Sequence, residues 1–568
     1  MKRQNILTLV LTATLLLVAY GASYPALRGV YDSPHNFSAS RQTGVGSSAF
    51  GSTEERICVF CHIPHHASDV EGALWSRDIS DQSNYRMYES PTLSATIELM
   101  PTGASRLCLG CHDGTIAIGA LQGGYTLTSA PSLQGNPNQL ALVDTSGRRD
   151  LSGDHPISFF YPVKDGLVPA QSIAKPVALA PGNRLECTAC HNPHSNDYGK
   201  FLVLDNSDGI KLCAACHVTP GWAASPYSAH KVNITSNNLG CGICHDQHKA
   251  SGRQYLLKNG TAESNCLTTT CHATVAASFN AAPAYSHPVI NQNNQIHTLI
   301  EPLPLSASLK HVTCDDCHNP HQAQAVIPAT PLTLLPPDIS ASGPLSGVRG
   351  VNTGSSVVNP ARYEYEICAR CHSGGSAANF TGGYGPSPLL PLRQVRDIDE
   401  LNRFASTNAS FHPVIQTTRQ LPSSFAVLSL INATVNQIIT CTACHVSHGA
   451  TYPHQVRYRY DTDSLTNPSS FNYELCFTCH KPFNGYASGF SAHQSHVFPT
   501  GVRKPVPCSG CHDPHGVNVP HLINFDLNML PATPSVVPKY LSTGVGTGSC
   551  TVSCHTKGNP DIYTYTYP

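Results

Sequence analysis

Charge is scarce in this chain. Asp, Glu, Lys and Arg make up 12% of its 568 residues and nearly cancel, to a formal net charge of -1. That share is about half of what an ordinary globular domain carries. Methionine is scarcer still. Beyond Met1 there are only Met87, Met100 and Met529, which excludes thioether sulfur as the general ligand of any repeated metal site. Long apolar runs are missing except for Ile6 to Val18. That run is too short for a comfortable membrane span. It follows Lys2 and Arg3 and precedes the small-residue stretch Ala19-Tyr-Gly-Ala-Ser23, so residues 1–23 read as a secretory signal peptide. The expected mature protein is exported, periplasmic or extracellular, with no membrane span after the signal is removed. Also missing is any cysteine outside one recurring pattern.

The 24 cysteines fall into twelve Cys-pair-His units. In order they are Cys58/Cys61/His62, Cys108/Cys111/His112, Cys187/Cys190/His191, Cys213/Cys216/His217, Cys241/Cys244/His245, Cys266/Cys271/His272, Cys314/Cys317/His318, Cys368/Cys371/His372, Cys441/Cys444/His445, Cys476/Cys479/His480, Cys508/Cys511/His512 and Cys550/Cys554/His555. Ten read Cys-x-x-Cys-His, the attachment signature of c-type haem. Residues three and four apart share one helix face, so both thiols and the imidazole project together. The thiols can add across the two vinyl groups of one haem, and the imidazole then meets the iron from the same side. Structural zinc needs four ligands per metal and no His directly after each pair. A disulfide framework also leaves the histidines unexplained. The Cys266 unit has a four-residue gap and the Cys550 unit a three-residue gap. For these two a disulfide beside an unrelated His remains the alternative. The expectation is twelve covalently bound haem c groups, bringing the redox chemistry with them. Their propionates would make the loaded protein acidic, which argues against nucleic acid as a partner.

The units form six doublets. The first member of each carries another His three residues on: His65, His194, His248, His321, His448 and His515. In four cases Pro precedes it, as in Asn192-Pro193-His194 and Asp513-Pro514-His515. Here the chain resembles the doubled CXXCH-motif family of multihaem cytochromes, over about residues 35–555. The resemblance is specific for cofactor and not for substrate. It implies that wider Cys gaps still take haem, that haem is attached outside the cytoplasm, and that bis-His haems are of low potential.

A longer repeat overlies the doublets. Cys187-Thr-Ala-Cys190-His191 matches Cys441-Thr-Ala-Cys444-His445, His155-Pro156 matches His412-Pro413, and Ser228-Ala229-His230 matches Ser491-Ala492-His493. This predicts two six-haem halves, 24–284 and 285–568, in an elongated body.

What faces each proximal His sets the iron's chemistry. Thirty histidines less the twelve in the units leave eighteen. Six are the second histidines named above. His65 lies one turn from His62 on the proximal side, so it is suited to a neighbouring haem and not its own. Six more precede the doublets: His35, His155, His230, His287, His412 and His493. Together they supply twelve distal candidates. His496 rivals His493, His297 and His311 rival His287, and His66, His454 and His521 are spare.

The 43 Gly and 44 Pro break regular structure throughout. The expected fold is therefore mostly irregular coil, with short helices at the haem motifs, few short strands and a haem-dominated core. The long gaps 113–186, 322–367 and 373–440 should be coil with some strands. The alternating tail Asp561 to Tyr567 should be a strand, paired within its own chain or with another subunit's edge. The functional expectation is an electron carrier and not an enzyme, handing electrons to redox partner proteins such as other multihaem cytochromes, an outer-membrane conduit or an extracellular acceptor. Two other readings compete. A multihaem oxyanion reductase needs one open haem. A cytochrome filament requires self-assembly.

Overall fold

The computed structural model describes residues 29–39, 54–65, 67, 73–77, 84–113, 142–143, 146–219, 230, 240–268, 270–281, 285–289, 312–324, 341, 343–373, 393–395, 397, 399–415, 439–461, 470–480, 493–499, 505–530, 538–544, 547–551 and 564–567. The signal segment, His66, His297, His311, Cys554 and His555 lie outside them. Two compact units are present: Met1–Thr219 with Ile234–Thr261, and Pro220–Asn233 with Ala262–Pro568. The segment bearing His230 and the Cys266 motif, which closes the first repeat in sequence, thus both sit in the second unit.

The chain is mostly irregular, with few short helices and short strands. The longest helices are Gly103–His112, Glu364–His372 and Ala273–Ala281. Most other motifs ride on a single turn, such as Cys58–Phe60, Cys187–Ala189, Cys314–Cys317, Cys441–Cys444 and Cys508–Cys511. Their starts are fixed by local acceptors. Thr313 N–H donates to Asp316 Oδ2 at 2.8 Å in a capping box. Glu366 accepts the N–H groups of Arg362 and Tyr363 ahead of the Glu364–His372 helix.

The two irregular motifs differ from this pattern. The Ala262–Cys266 helix ends at the first cysteine, and the Ala273–Ala281 helix begins only after His272. The wider gap is spent outside a helix. Cys550 lies on a strand where a helical turn was expected. Thr547–Thr551 pairs antiparallel with Lys539–Gly544 and with the tail Thr564–Tyr567, placing Cys550 opposite Tyr540 and Tyr565. Thr547 and Thr551 are β-branched and Tyr565 aromatic, residue types that favour a pleated surface. The tail therefore pairs within its own chain.

Elsewhere strands are two-residue pairs. In the first unit Tyr85–Arg86 runs parallel to Arg149–Asp150, and Phe159–Phe160 antiparallel to Arg184–Leu185. In the second, Ser410–Phe411 pairs with Gly516–Val517. Apolar clusters are small. Tyr85, Leu109 and Leu151 form one, and Val351, Tyr365, Ala369, Leu401, Phe404 and Val414 another. Each fully buried large side chain contributes about 1.5–3 kcal/mol. Buried polar groups brace these cores. Tyr85 O–H donates to Asp113 Oδ2 at 2.6 Å, and Arg149 pairs with the same oxygen at 3.2 Å.

Candidate functional site

Most first-member motifs follow one local plan. The helical turn ends at or just before the second cysteine, and the histidine leaves it in extended conformation, as at His445 (φ -112°, ψ 155°) and His512 (φ -104°, ψ 142°). The chain then returns as an isolated bridge partner of that histidine: Trp75 for His62, Leu202 for His191, Leu257 for His245, Val456 for His445 and Ile523 for His512. Just before the bridge a left-handed turn aims a carbonyl at the ring. His191 Nδ1 is 2.9 Å from Lys200 O, His245 Nδ1 2.7 Å from Tyr255 O, His445 Nδ1 3.0 Å from His454 O and His512 Nδ1 2.8 Å from His521 O. His62 meets Ala73 O at 2.6 Å and His318 meets Pro344 O at 2.9 Å. A carbonyl can only accept, so Nδ1 carries the proton and Nε2 keeps its lone pair for a metal. His454 and His521, spares by count, thus contribute backbone oxygens.

Three second cysteines show how far the shared-face expectation holds. Cys244 obeys the local plan. It directly follows the Gly240–Ile243 turn, its N–H donates to Cys241 O at 3.3 Å, and its carbonyl accepts Lys258 N–H at 2.9 Å. Cys371 is helical but belongs to a different plan. It lies inside the Glu364–His372 helix with Cys368 and His372, so here the helix runs through the second cysteine and takes the histidine with it. Cys271 departs from the expectation. It is exposed, lies between the Ala262–Cys266 and Ala273–Ala281 helices, and its N–H donates to Thr268 O at 3.2 Å in a turn of its own. The four-residue gap is the cause. It moves Cys271 five positions from Cys266, off the face that a three-residue step would share.

Among the described residues ten pairs of imidazoles face one another. The ring centres are 6.1 Å apart for His62–His194, 6.2 Å for His112–His35, 6.2 Å for His191–His248 and 6.2 Å for His217–His155. In the second unit they are 6.1 Å for His272–His230, 5.8 Å for His318–His448, 6.4 Å for His372–His287, 6.2 Å for His445–His515, 6.1 Å for His480–His412 and 6.1 Å for His512–His493. Each pair joins a motif histidine to a histidine outside the motifs. Burial pushes the imidazoles of His35, His155, His445, His480 and His493 down to about 4, so they are neutral near pH 7.

The pairing has a direction. The second histidine of one doublet faces the first-member motif of the doublet before it: His194 faces His62, His248 faces His191, His448 faces His318 and His515 faces His445. The residue just ahead of that second histidine also holds the distal candidate of the same preceding doublet. His230 Nδ1 lies 2.8 Å from Pro320 O, His287 Nδ1 3.0 Å from Ser447 O, and His412 Nδ1 contacts Pro514 O. His155 N–H donates to Gln247 O at 2.8 Å. The short His-x-x-His segment is thus a staple for the doublet upstream; the sequence assigns its histidine to a neighbouring haem but neither the direction nor the backbone hold on the second ring.

The remaining candidates stand as follows. His65 is exposed and has no ring or hydrogen-bond partner among the described residues. His245 lies in the first unit and His321 in the second. His321 N–H donates to Asn319 Oδ1 at 3.1 Å. The repeat pairs His493 with His230, yet His230 faces the sixth motif and His493 the eleventh. The cause is local. Val506 N–H donates to His496 O at 2.9 Å, tying the His493–Val497 helix to the segment that enters Cys508.

Thiols mark the order of the motifs. Across each of five doublet boundaries the first cysteines of the adjoining motifs lie close enough for their thiols to interact: Cys108 with Cys187, Cys213 with Cys241, Cys266 with Cys314, Cys368 with Cys441 and Cys476 with Cys508. Within doublets the second cysteines are close enough to interact electrostatically, as for Cys61 and Cys111, Cys190 and Cys216, and Cys444 and Cys479. Cys317 interacts with Cys368, one helical turn before Cys371. Cys244 and Cys271 fall in different units. Every described cysteine is a free thiol. Among the described residues no three His, Cys, Asp or Glu side chains cluster as a metal site, so tetrahedral zinc has no cage here.

The donor set fits haem c. Paired thiols sit beside a motif imidazole that faces a second imidazole. Comparison with known proteins points the same way. Residues 180–220 and 433–485 each match the family described as Doubled CXXCH motif. The chain is also 26% identical over 147 residues to the Multiheme cytochrome MtrA of Shewanella baltica (strain OS185), a match covering 24% of this chain and 36% of that protein. Both findings are consistent with a multihaem c-type cytochrome. The doubled CXXCH motifs indicate covalently bound c-type haem.

Proposed function

We propose that this chain carries electrons along twelve haems, each iron held between the motif histidine and a second histidine, in periplasmic or extracellular respiratory electron transfer. The single observation that carries the reading is the set of ten facing imidazole pairs, 5.8–6.4 Å apart between ring centres. Two metal–imidazole bonds of about 2 Å in line, with each ring nitrogen roughly 1 Å from its ring centre, put the centres roughly 6 Å apart. Haem supplies one-electron chemistry when bound. The residues of this chain do the rest. Carbonyls fix the tautomer, facing rings occupy both sides of the metal position, and neighbouring thiols keep successive motifs adjacent in sequence order. At these ten pairs both sides are taken and no position is left for a substrate, which favours a carrier over a reductase. The partners would be redox proteins, other multihaem cytochromes among them.

The exposed His65 favours a second reading. Unlike His194, His248, His448 and His515 it faces no ring among the described residues, so it suits a haem of another molecule. Self-assembly is the form that this would take, seen by electron microscopy of native supernatant.

Intact mass of the mature holoprotein tests the stoichiometry. Twelve haems are expected, and eight or fewer would overturn the count. Low-temperature EPR tests the ligation. Low-spin ferric signals alone are expected, and a stoichiometric high-spin signal would restore the reductase.

A further inference from the structure

Two of the ten facing pairs differ in what holds the outer ring. Most Nδ1 partners are neutral backbone carbonyls. His248 Nδ1 instead lies 3.2 Å from Asp154 Oδ1, and His515 Nδ1 2.9 Å from Glu400 Oε2. The side chain of Asp154 is 11% exposed. His515 Nδ1 and Glu400 Oε2 are both buried atoms without a hydrogen bond of good geometry among the described residues, so they meet as an ion-pair contact at 2.9 Å.

The two places correspond. His248 faces His191, and His515 faces His445, the histidines of the matching Cys-Thr-Ala-Cys-His motifs. The carboxylates do not correspond. Asp154 immediately precedes His155 and bridges His248 through its backbone. Glu400 opens the Glu400–Arg403 helix, ahead of the strand that leads to His412. One charge at one position in each unit is thus delivered from unrelated points of the chain, which a shared ancestral motif does not explain.

We propose that Asp154 and Glu400 are positioning residues that give His248 and His515 imidazolate character and make their two haems the last in the chain to be reduced. The inference rests on the reading that the facing imidazoles ligate haem iron. The physics is a difference between acceptors. An anionic carboxylate polarises the Nδ1–H bond more than a neutral carbonyl does, which raises the basicity of the ligand. A more basic ligand donates more to iron and favours the ferric state. Low local dielectric strengthens the effect at the buried Glu400–His515 contact, and less so at His248, whose side chain is 45% exposed. Glu400 is also held by Arg403 Nη1 at 2.7 Å, which fixes the carboxylate while leaving Oε2 for the ring.

Asp154→Asn and Glu400→Gln test this in the full holoprotein, because each keeps an acceptor oxygen and removes the charge. Redox titration by visible absorption should lose one haem equivalent from its most negative part in each variant and two in the double variant. The low-spin EPR envelope should shift with it. Curves and spectra that superimpose on wild type at unchanged haem content would overturn the proposal. If one variant fails to load haem the other decides, and failure of both to load assigns the carboxylates to folding and overturns tuning. A high-spin signal in the wild type would remove the paired ligation itself. A low-spin wild type with unmoved variants removes only the carboxylate role.

Discussion

The surroundings of Cys187 and Cys441 repeat a backbone and not its side chains. In the first unit Cys187 N–H donates to Ser105 Oγ at 2.9 Å, on the helix of the preceding motif. In the second, Thr442 N–H donates to Glu364 Oε1 at 2.8 Å, again from the preceding motif's helix. The outer ring is placed by backbone pairing in both: an isolated Asp154–His248 bridge in one, the Ser410–Phe411 and Gly516–Val517 strands in the other. Only the second adds a guanidinium, Arg403, between Glu400 and the buried Asp513. Ring positions set by backbone hydrogen bonds tolerate exchange of side chains around them. Charge can therefore be altered locally without moving the pair.

The largest break in this comparison comes from the rings. His248→Ala and His515→Ala should each convert one low-spin haem to high-spin by EPR, in its own unit only. A variant that stays wholly low-spin would show that another residue occupies the position. Arg403→Met comes next. It removes the cation that Asp513 and Glu400 share, and breaking such a buried pair costs about 3–5 kcal/mol. Chemical denaturation should show that loss in the second unit, with no counterpart in the first. Close backbone approach gives the third contrast. A Cβ at Gly516 would lie 2.0 Å from Arg403 O, and at Gly153 2.7 Å from Ala250 O. Gly516→Ala should therefore destabilise more than Gly153→Ala, at about 1–3 kcal/mol for such overpacking. Equal effects would mean that the two frames are equally yielding. The smallest contrast is in the caps. Ser105→Ala should cost about 0.5–1.5 kcal/mol, and Glu364→Ala about 1–3 kcal/mol because its carboxyl group accepts two hydrogen bonds from Thr442. The order of the two denaturation midpoints checks it.

Much of the site was legible because covalent chemistry leaves a fixed spacing. Cys and His identities mark the motifs, and the neighbour-reaching role of the second histidine follows from its being one turn along. Which neighbour it reaches is not legible, since that depends on chain returns far away in sequence. The ring-orienting carbonyls were also missed. Their turns place Lys200, Phe201, His454, Gln455, His521 and Leu522 at positive φ, where a reader looks for Gly or Asn. The usable signal was the constant nine-residue step from His191, His445 and His512 to the carbonyl that each meets. The strand at Cys550 and the exposed turn at Cys271 were missed for one reason: a motif was read as a helix whatever its spacing and its β-branched filling.

The staple also has a consequence in time. A chain is made from its N-terminus, and the rings facing second-member motifs come earlier in sequence: His35 before His112, His155 before His217, His412 before His480. The rings facing most first-member motifs come later: His194 after His62, His248 after His191, His448 after His318, His515 after His445. In the first, second, fourth and fifth doublets one half is thus complete on arrival while the other half waits for the next doublet to be synthesised. Maturation of these four becomes a relay in which the next pair of motifs latches the pair made before it.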